Sequence, residues 1–243
     1  MSREFEVTRE VDLPAAPDDV WTAITADTAA WQFPTGMEIP AGSAPPKGAP
    51  VTTWDPPNRL TIRMESPDGT FNALDFTIEA RDGGAAHLRY VHSGILADEW
   101  EDQYDAIGGH TDFYLHTLGQ YLEHFNGRQV TYVGQPSNGI DGPAAAGAPD
   151  AMDTLRAALG LSPDAGVGEK VRAPLGDAGT LDGVVDYSTK EFLGVRADDG
   201  LYRFFGRNHF GGVVGMSAHL FADGVEAATR EAALKTWLDG VYT

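Results

Sequence analysis

The sequence predicts an α+β protein in which antiparallel strands precede one long amphipathic helix, and three features point that way. Residues 3–13 alternate, with Phe5, Val7, Val11 and Leu13 on one face and Glu4, Glu6, Thr8, Glu10 and Asp12 on the other. That is the pattern of a half-buried antiparallel strand. Residues 51–93 divide into four short alternating runs separated by turn residues. Residues 99–126 then place Trp100, Tyr104, Ile107, Thr111, Tyr114, Leu118, Tyr121 and Phe125 at spacings of three and four, which makes one helical stripe expected to face the sheet.

Each element follows from its residues. After the opening strand, Pro17 suits the first turn of a helix, Asp18 and Asp19 suit its positive end, and Val20, Trp21 and Ile24 give it an apolar face. Asp27 is placed to cap a second short helix carrying Ala30, Trp31 and Phe33. Residues 40–50 form a Pro/Gly loop. The four strands are Val51–Trp54, Arg59–Glu65, Phe71–Arg81 and Ala85–Ser93, with turns at Asp55-Pro56-Pro57, Pro67-Asp68-Gly69 and Asp82-Gly83-Gly84. Asp98 is a candidate N-cap for the long helix, with Glu99, Glu101 and Asp102 favoured by its dipole, and Asn126-Gly127 ends it.

The domain reading is a first domain over 1–130, a linker over 131–150 and a second α+β module over 151–243. The linker rests on the Gly/Pro/Ala-rich stretch from 134 to 150, which lacks periodicity. The second module opens with a short helix bearing Met152, Leu155 and Leu159 and continues with strands at 167–173, 181–187, 192–196, 201–207 and 213–221. Asp199-Gly200 marks a hairpin, and a helix over 225–241 closes the module. The order of elements repeats that of the first half, so the module reads as a smaller, truncated copy lacking the long opening strand.

The 243 residues contain no cysteine, so disulfides and thiolate chemistry are excluded. The formal net charge is −19, which disfavours nucleic acid and anionic membranes as partners; a basic protein surface stays open. No apolar run reaches the ~20 residues of a membrane span, and nothing in the first residues reads as a signal peptide, so the expected location is cytoplasmic.

The first half resembles a known family. Phe5-x-Val7-Thr8-Arg9, followed by Pro14-Ala15-Ala16-Pro17-x-x-Val20-Trp21-x-Ala23-Ile24-Thr25, is similar to the opening of Hsp90-ATPase-activator-homologue proteins, a branch of the SRPBCC (START-like) superfamily. Asp55-Pro56-Pro57-x-Arg59-Leu60, Gly83-Gly84-x-x-His87-Leu88-x-Tyr90-x-His92-Ser93-Gly94 and Tyr114-Leu115-x-x-Leu118-x-x-Tyr121-Leu122 resemble later segments of the same family. The chain departs from it near residues 110–112, where members commonly carry Gly-Trp and this chain has His110-Thr111-Asp112. The resemblance spans residues 3–127. It implies a helix-grip (START-like, Bet v 1-like) fold, a curved antiparallel sheet wrapped on a long helix with a cavity between them. It also implies three possible roles: binding of a small apolar or amphipathic molecule, chaperone co-regulation through protein contact, or cofactor-free cyclase or dehydratase chemistry.

The expected ligand-lining residues are Arg9, Trp21, Trp31, Trp54, Met64, Phe76, Tyr90, His92, Trp100, Tyr104 and Thr111. Arg9, on an apolar strand face, reads either as half of a structural ion pair or as an anchor for a ligand anion. His92 reads either as a hydrogen-bonded core histidine or as a polar ligand contact or general base. The set His110, Asp112 and His116 lacks a metal-ligand pattern, and Gly83-Gly84 and Gly211-Gly212 are turn glycines, so no metal and no cofactor are expected. In the second module, Arg196, Arg203, Arg207, His209 and His219 read as strand residues lining a polar cleft or, in the favoured reading, an outward-facing sheet surface.

Overall fold

The computed structural model describes residues 3–96 and 100–243, with the side chains of residue 3 and residues 96–106 outside that description. The chain divides into two compact units, residues 1–126 and 127–243.

The first unit begins with β1 (Arg3–Leu13) and α1 (Pro17–Thr25). β2 (Val51–Asp55), β3 (Arg59–Glu65), β4 (Phe71–Ala80) and β5 (Ala86–Leu96) form an antiparallel meander, and α2 (Trp100–His124) follows. The sheet order is β1-β5-β4-β3-β2, so the first strand closes against the last. This α+β topology, an antiparallel sheet followed by a helix, is consistent with a helix-grip fold. Proline sits in the first turn of α1 together with Asp18 and Asp19, as local chemistry requires.

Alternation assigns one sheet face to charge. On it, Arg59 pairs with Asp75 at 2.8 Å and His87 Nδ1 lies 2.8 Å from Asp12. The opposite face carries both helices. There α2 approaches β1 through small residues: a Cβ on Gly119 would sit 3.8 Å from Leu13 Cδ2, and one on Gly108 would sit 3.6 Å from the Arg9 guanidinium. Within the stripe expected to face the sheet, Thr111, Leu118, Tyr121 and Phe125 are buried. Tyr114 meets Phe33 edge-on at 6.1 Å, and the Tyr121 hydroxyl donates to Asp27 at 3.1 Å. A phenol buried on the apolar sheet would leave its hydroxyl unpaired, whereas glycines let helix and strand backbones come close. Asp27 therefore holds Tyr121 and makes no side-chain cap. Trp100 opens α2, but its side chain and that of Tyr104, like the proposed capping residues Asp98 and Glu99, lie outside the described residues.

The second unit comprises β6 (Thr131–Val133), β7 (Ile140–Asp141), α3 (Ala151–Ala158), β8 (Lys170–Pro174), β9 (Thr180–Ser188), β10 (Phe192–Ala197), β11 (Gly200–Gly206), β12 (Val214–Leu220) and α4 (Ala227–Val241). Its antiparallel sheet runs β6-β12-β11-β10-β9-β8, with β7 also on β12. The linker expected at 131–150 is therefore corrected: β6 and β7 bond in register to Ala218–Leu220 and to Gly215–Met216. Residues 134–139 separate these two short strands, both of which pair with β12, the last strand of the sheet. Backbone groups on β12 that need partners find them there despite the segment's polar composition.

The outward-surface reading of the second module's basic residues is also corrected. Arg203 is 1 % exposed and forms a bidentate pair with Asp186 at 2.8 Å, and His219 is buried as well. Gly194 makes the room, because a Cβ there would lie 2.5 Å from Arg203 Nη1. Arg207 and His209 lie in a 3-10 turn rather than on a strand.

Candidate functional site

The helix-bearing face of the first sheet is organised in rows that cross the strands. One row runs Trp54, Leu60, Phe76, Tyr90, Arg9. The next runs Ile62, Leu74, His92, Val7, and the one beyond it Met64, Asn72, Gly94, Phe5. On the other side lie Ile78, Leu88 and Val11. Burial changes along this series. Ile78, Leu88, Leu60 and Phe76 are fully buried, while Ile62, Leu74, Tyr90 and His92 are half-buried and Met64 is 37 % exposed. One end of the face is thus closed core and the other an open apolar floor.

Few polar atoms interrupt this floor. Arg9 pairs bidentately with Asp112 of α2, at 2.5 Å from Nε and 3.1 Å from Nη2. The two charges offset each other, which is the structural reading of Arg9. His92 Nε2 lies 2.7 Å from Asn72 Oδ1, and its ring packs edge-on to Phe5 at 5.0 Å. Burial lowers the His92 pKa from 6.5 to about 4, so the ring is neutral near pH 7. Tyr90 stacks at a tilt on Phe76, with ring centroids 4.9 Å apart. Burial holds its phenol well above the usual range, and its hydroxyl makes no hydrogen bond among the described residues.

The sequence-expected residues separate into groups. Arg9, Trp54, Phe76, Tyr90, His92 and Met64 share the helix-bearing face. Trp21 joins them from α1, meeting Trp54 edge-on at 4.8 Å. Trp31 is 3 % exposed and donates its indole N–H to the Ala23 carbonyl at 2.8 Å, so its polar group is already used. Thr111 is buried on α2. Sequence reasoning missed Ile62, Leu74, Asn72, Phe5 and Asp112 as parts of the site. Alternation put Ile62 and Leu74 two positions from residues that were chosen. Asp112 and Asn72 gave no local signal, because their partners lie 103 and 20 residues away.

Among the described residues, no group of His, Asp or Glu could hold a metal ion, and no helix is long and apolar enough to cross a membrane.

No protein-family model and no curated protein matches this chain. Solved structures do show similarity. The Aha1 dimer from Colwellia psychrerythraea aligns at 19 % identity over 49 % of this chain and 96 % of its own, with a TM-score of 0.37. Protein MLL2253 from Mesorhizobium loti aligns at 17 % identity over 50 % of this chain and 99 % of its own, TM-score 0.38. DynU16, described as a putative protein in the dynemicin biosynthetic locus, aligns at 15 % identity over 98 % of this chain and 95 % of its own, TM-score 0.37.

Proposed function

We propose that residues 1–126 form a binding domain that holds a small apolar or amphipathic molecule against the open end of the helix-bearing sheet face. The observation that carries this reading is the half-buried row of Ile62, Leu74 and His92 beside the fully buried row of Leu60 and Phe76. Apolar side chains left partly open, with few polar atoms among them, are what small-molecule sites are made of. Covering them with an apolar ligand would gain roughly 25 cal/mol per Å² removed from water. Binding is favoured over catalysis because His92, with a pKa of about 4, is a weak proton acceptor near neutral pH.

The test uses two residues of β4 that face opposite ways. Leu74 lies on the proposed floor, whereas Thr77 lies on the charged face between Arg59 and Arg89. Nile red, an uncharged solvatochromic dye, is expected to bind the wild type saturably with a blue-shifted emission. Leu74→Glu should abolish that binding and Thr77→Glu should retain it. Saturable binding that survives Leu74→Glu would place the dye elsewhere and end the reading.

A further inference from the structure

The polar atoms on the open floor are specific enough to define the group they would meet. Tyr90 and His92 stand two residues apart on β5 and point to the same face, with ring centroids 6.4 Å apart. The Asn72 Oδ1 acceptor assigns the imidazole hydrogen to Nε2. A neutral ring then carries a lone pair on Nδ1, which has no partner among the described residues. The neighbouring Tyr90 hydroxyl is likewise without a protein partner. Neither atom is among the buried polar atoms that lack a partner, so water can reach both in the free protein, and a ligand that covers them must supply the hydrogen bonds that water gave. The nearest cation on the same row, Arg9, is held by Asp112.

We infer, on the reading that this face binds an apolar molecule, that the site selects an uncharged ligand bearing a hydroxyl group over one bearing a carboxylate. A hydroxyl satisfies both atoms at once: it donates to His92 Nδ1 and accepts from the Tyr90 O–H. A carboxylate offers no donor to Nδ1, meets its lone pair with negative charge, and faces an arginine already neutralised. A bare hydrocarbon fills the floor but leaves both polar atoms dry and unpaired.

The experiment is displacement of bound Nile red by naphthalene, naphthol and naphthoate near neutral pH, which share one ring system and differ in one group. The wild type is expected to bind naphthol about fivefold or more tightly than naphthalene, as one or two net hydrogen bonds give. Naphthoate is expected to bind more weakly than naphthalene. Naphthol is the more polar of the first two, so simple partitioning would give the reverse order. Tyr90→Phe should bring the naphthol-to-naphthalene ratio down severalfold. It should also melt no lower than the wild type, since it removes a hydroxyl that bonds nothing in the protein. The inference falls when naphthoate binds as tightly as naphthol, or when Tyr90→Phe keeps the wild-type ratio. Failure of Nile red and all three probes to bind would instead overturn the underlying reading of this face.

Discussion

His92 shows how one side chain's surroundings set its behaviour. Its partners are Asn72 on β4, Phe5 on β1 and Tyr90 on its own strand, and burial lowers its pKa from 6.5 to about 4. The folded state therefore resists a proton that the unfolded state accepts. Stability linked to this residue is fully present above pH 6.5 and is lost as pH falls from there towards 4, with no further change below. A shift of this size corresponds to about 3 kcal/mol at the acid end of the window. Chemical denaturation at pH 7 and pH 4.5 should show His92→Leu losing less stability across that interval than the wild type. Equal losses in both proteins would mean the ring is not held neutral. The strand alternation made the direction of His92 readable in the sequence. Its partner was not readable, because Asn72 comes from another strand and an asparagine at a strand start carries no signature. The same holds for Arg9: its face was legible, but the choice between ion pair and ligand anchor depended on Asp112, 103 residues away.

At the scale of elements, legibility followed continuity. β1 runs eleven residues with strict alternation, and β3 and β4 lie between clear turns, so all were readable. The two short strands that open the second unit were not, because they are three-residue and two-residue pieces around a Gly- and Pro-containing excursion. Periods cannot be read from such pieces; only the hydrogen-bonding demand of β12 reveals them. In the long helix, Gly108 and Gly119 lie beside Arg9 and Leu13 of β1, an approach that the aromatic periodicity did not signal. The second sheet contains a similar reliance on a small residue. β10 and β9 shift register between Gly194 and Val195, and Asp186 and Arg203 pair over the space that Gly194 leaves. Gly194→Ala would drive a methyl group into that pair and separate two buried charges, which costs on the order of 3 kcal/mol or more. The urea midpoint of unfolding should fall accordingly. A Gly194→Ala protein unfolding at the wild-type midpoint would show that the pair moves aside without loss.

For the whole molecule, the governing quantity is charge. Thirty-six acidic residues against seventeen basic ones leave −19, and the sequence pI is about 4.5. Local ion pairs such as Arg9–Asp112 and Arg203–Asp186 place cations where carboxylates are dense, but they do not alter the total. A compact chain of this charge repels itself more than an expanded one does, so at neutral pH and low ionic strength part of the folding free energy is spent against like charge. Salt shortens the reach of that repulsion from ~30 Å at 0.01 M to ~10 Å at 0.1 M, and the folded state gains more from this than the unfolded chain. Sodium chloride added at pH 7 should therefore raise the melting temperature by a few degrees, on the scale of ~1 kcal/mol for a domain of about a hundred residues. Near pH 4.5 the net charge vanishes, so the same salt should do little, and the acid-side loss set by His92 remains as the salt-independent part. Thermal unfolding in low and moderate salt at both pH values separates the two. A salt response of the same size at both would mean that ion binding or general screening of unfolded chains, and not self-repulsion of the folded protein, sets its stability.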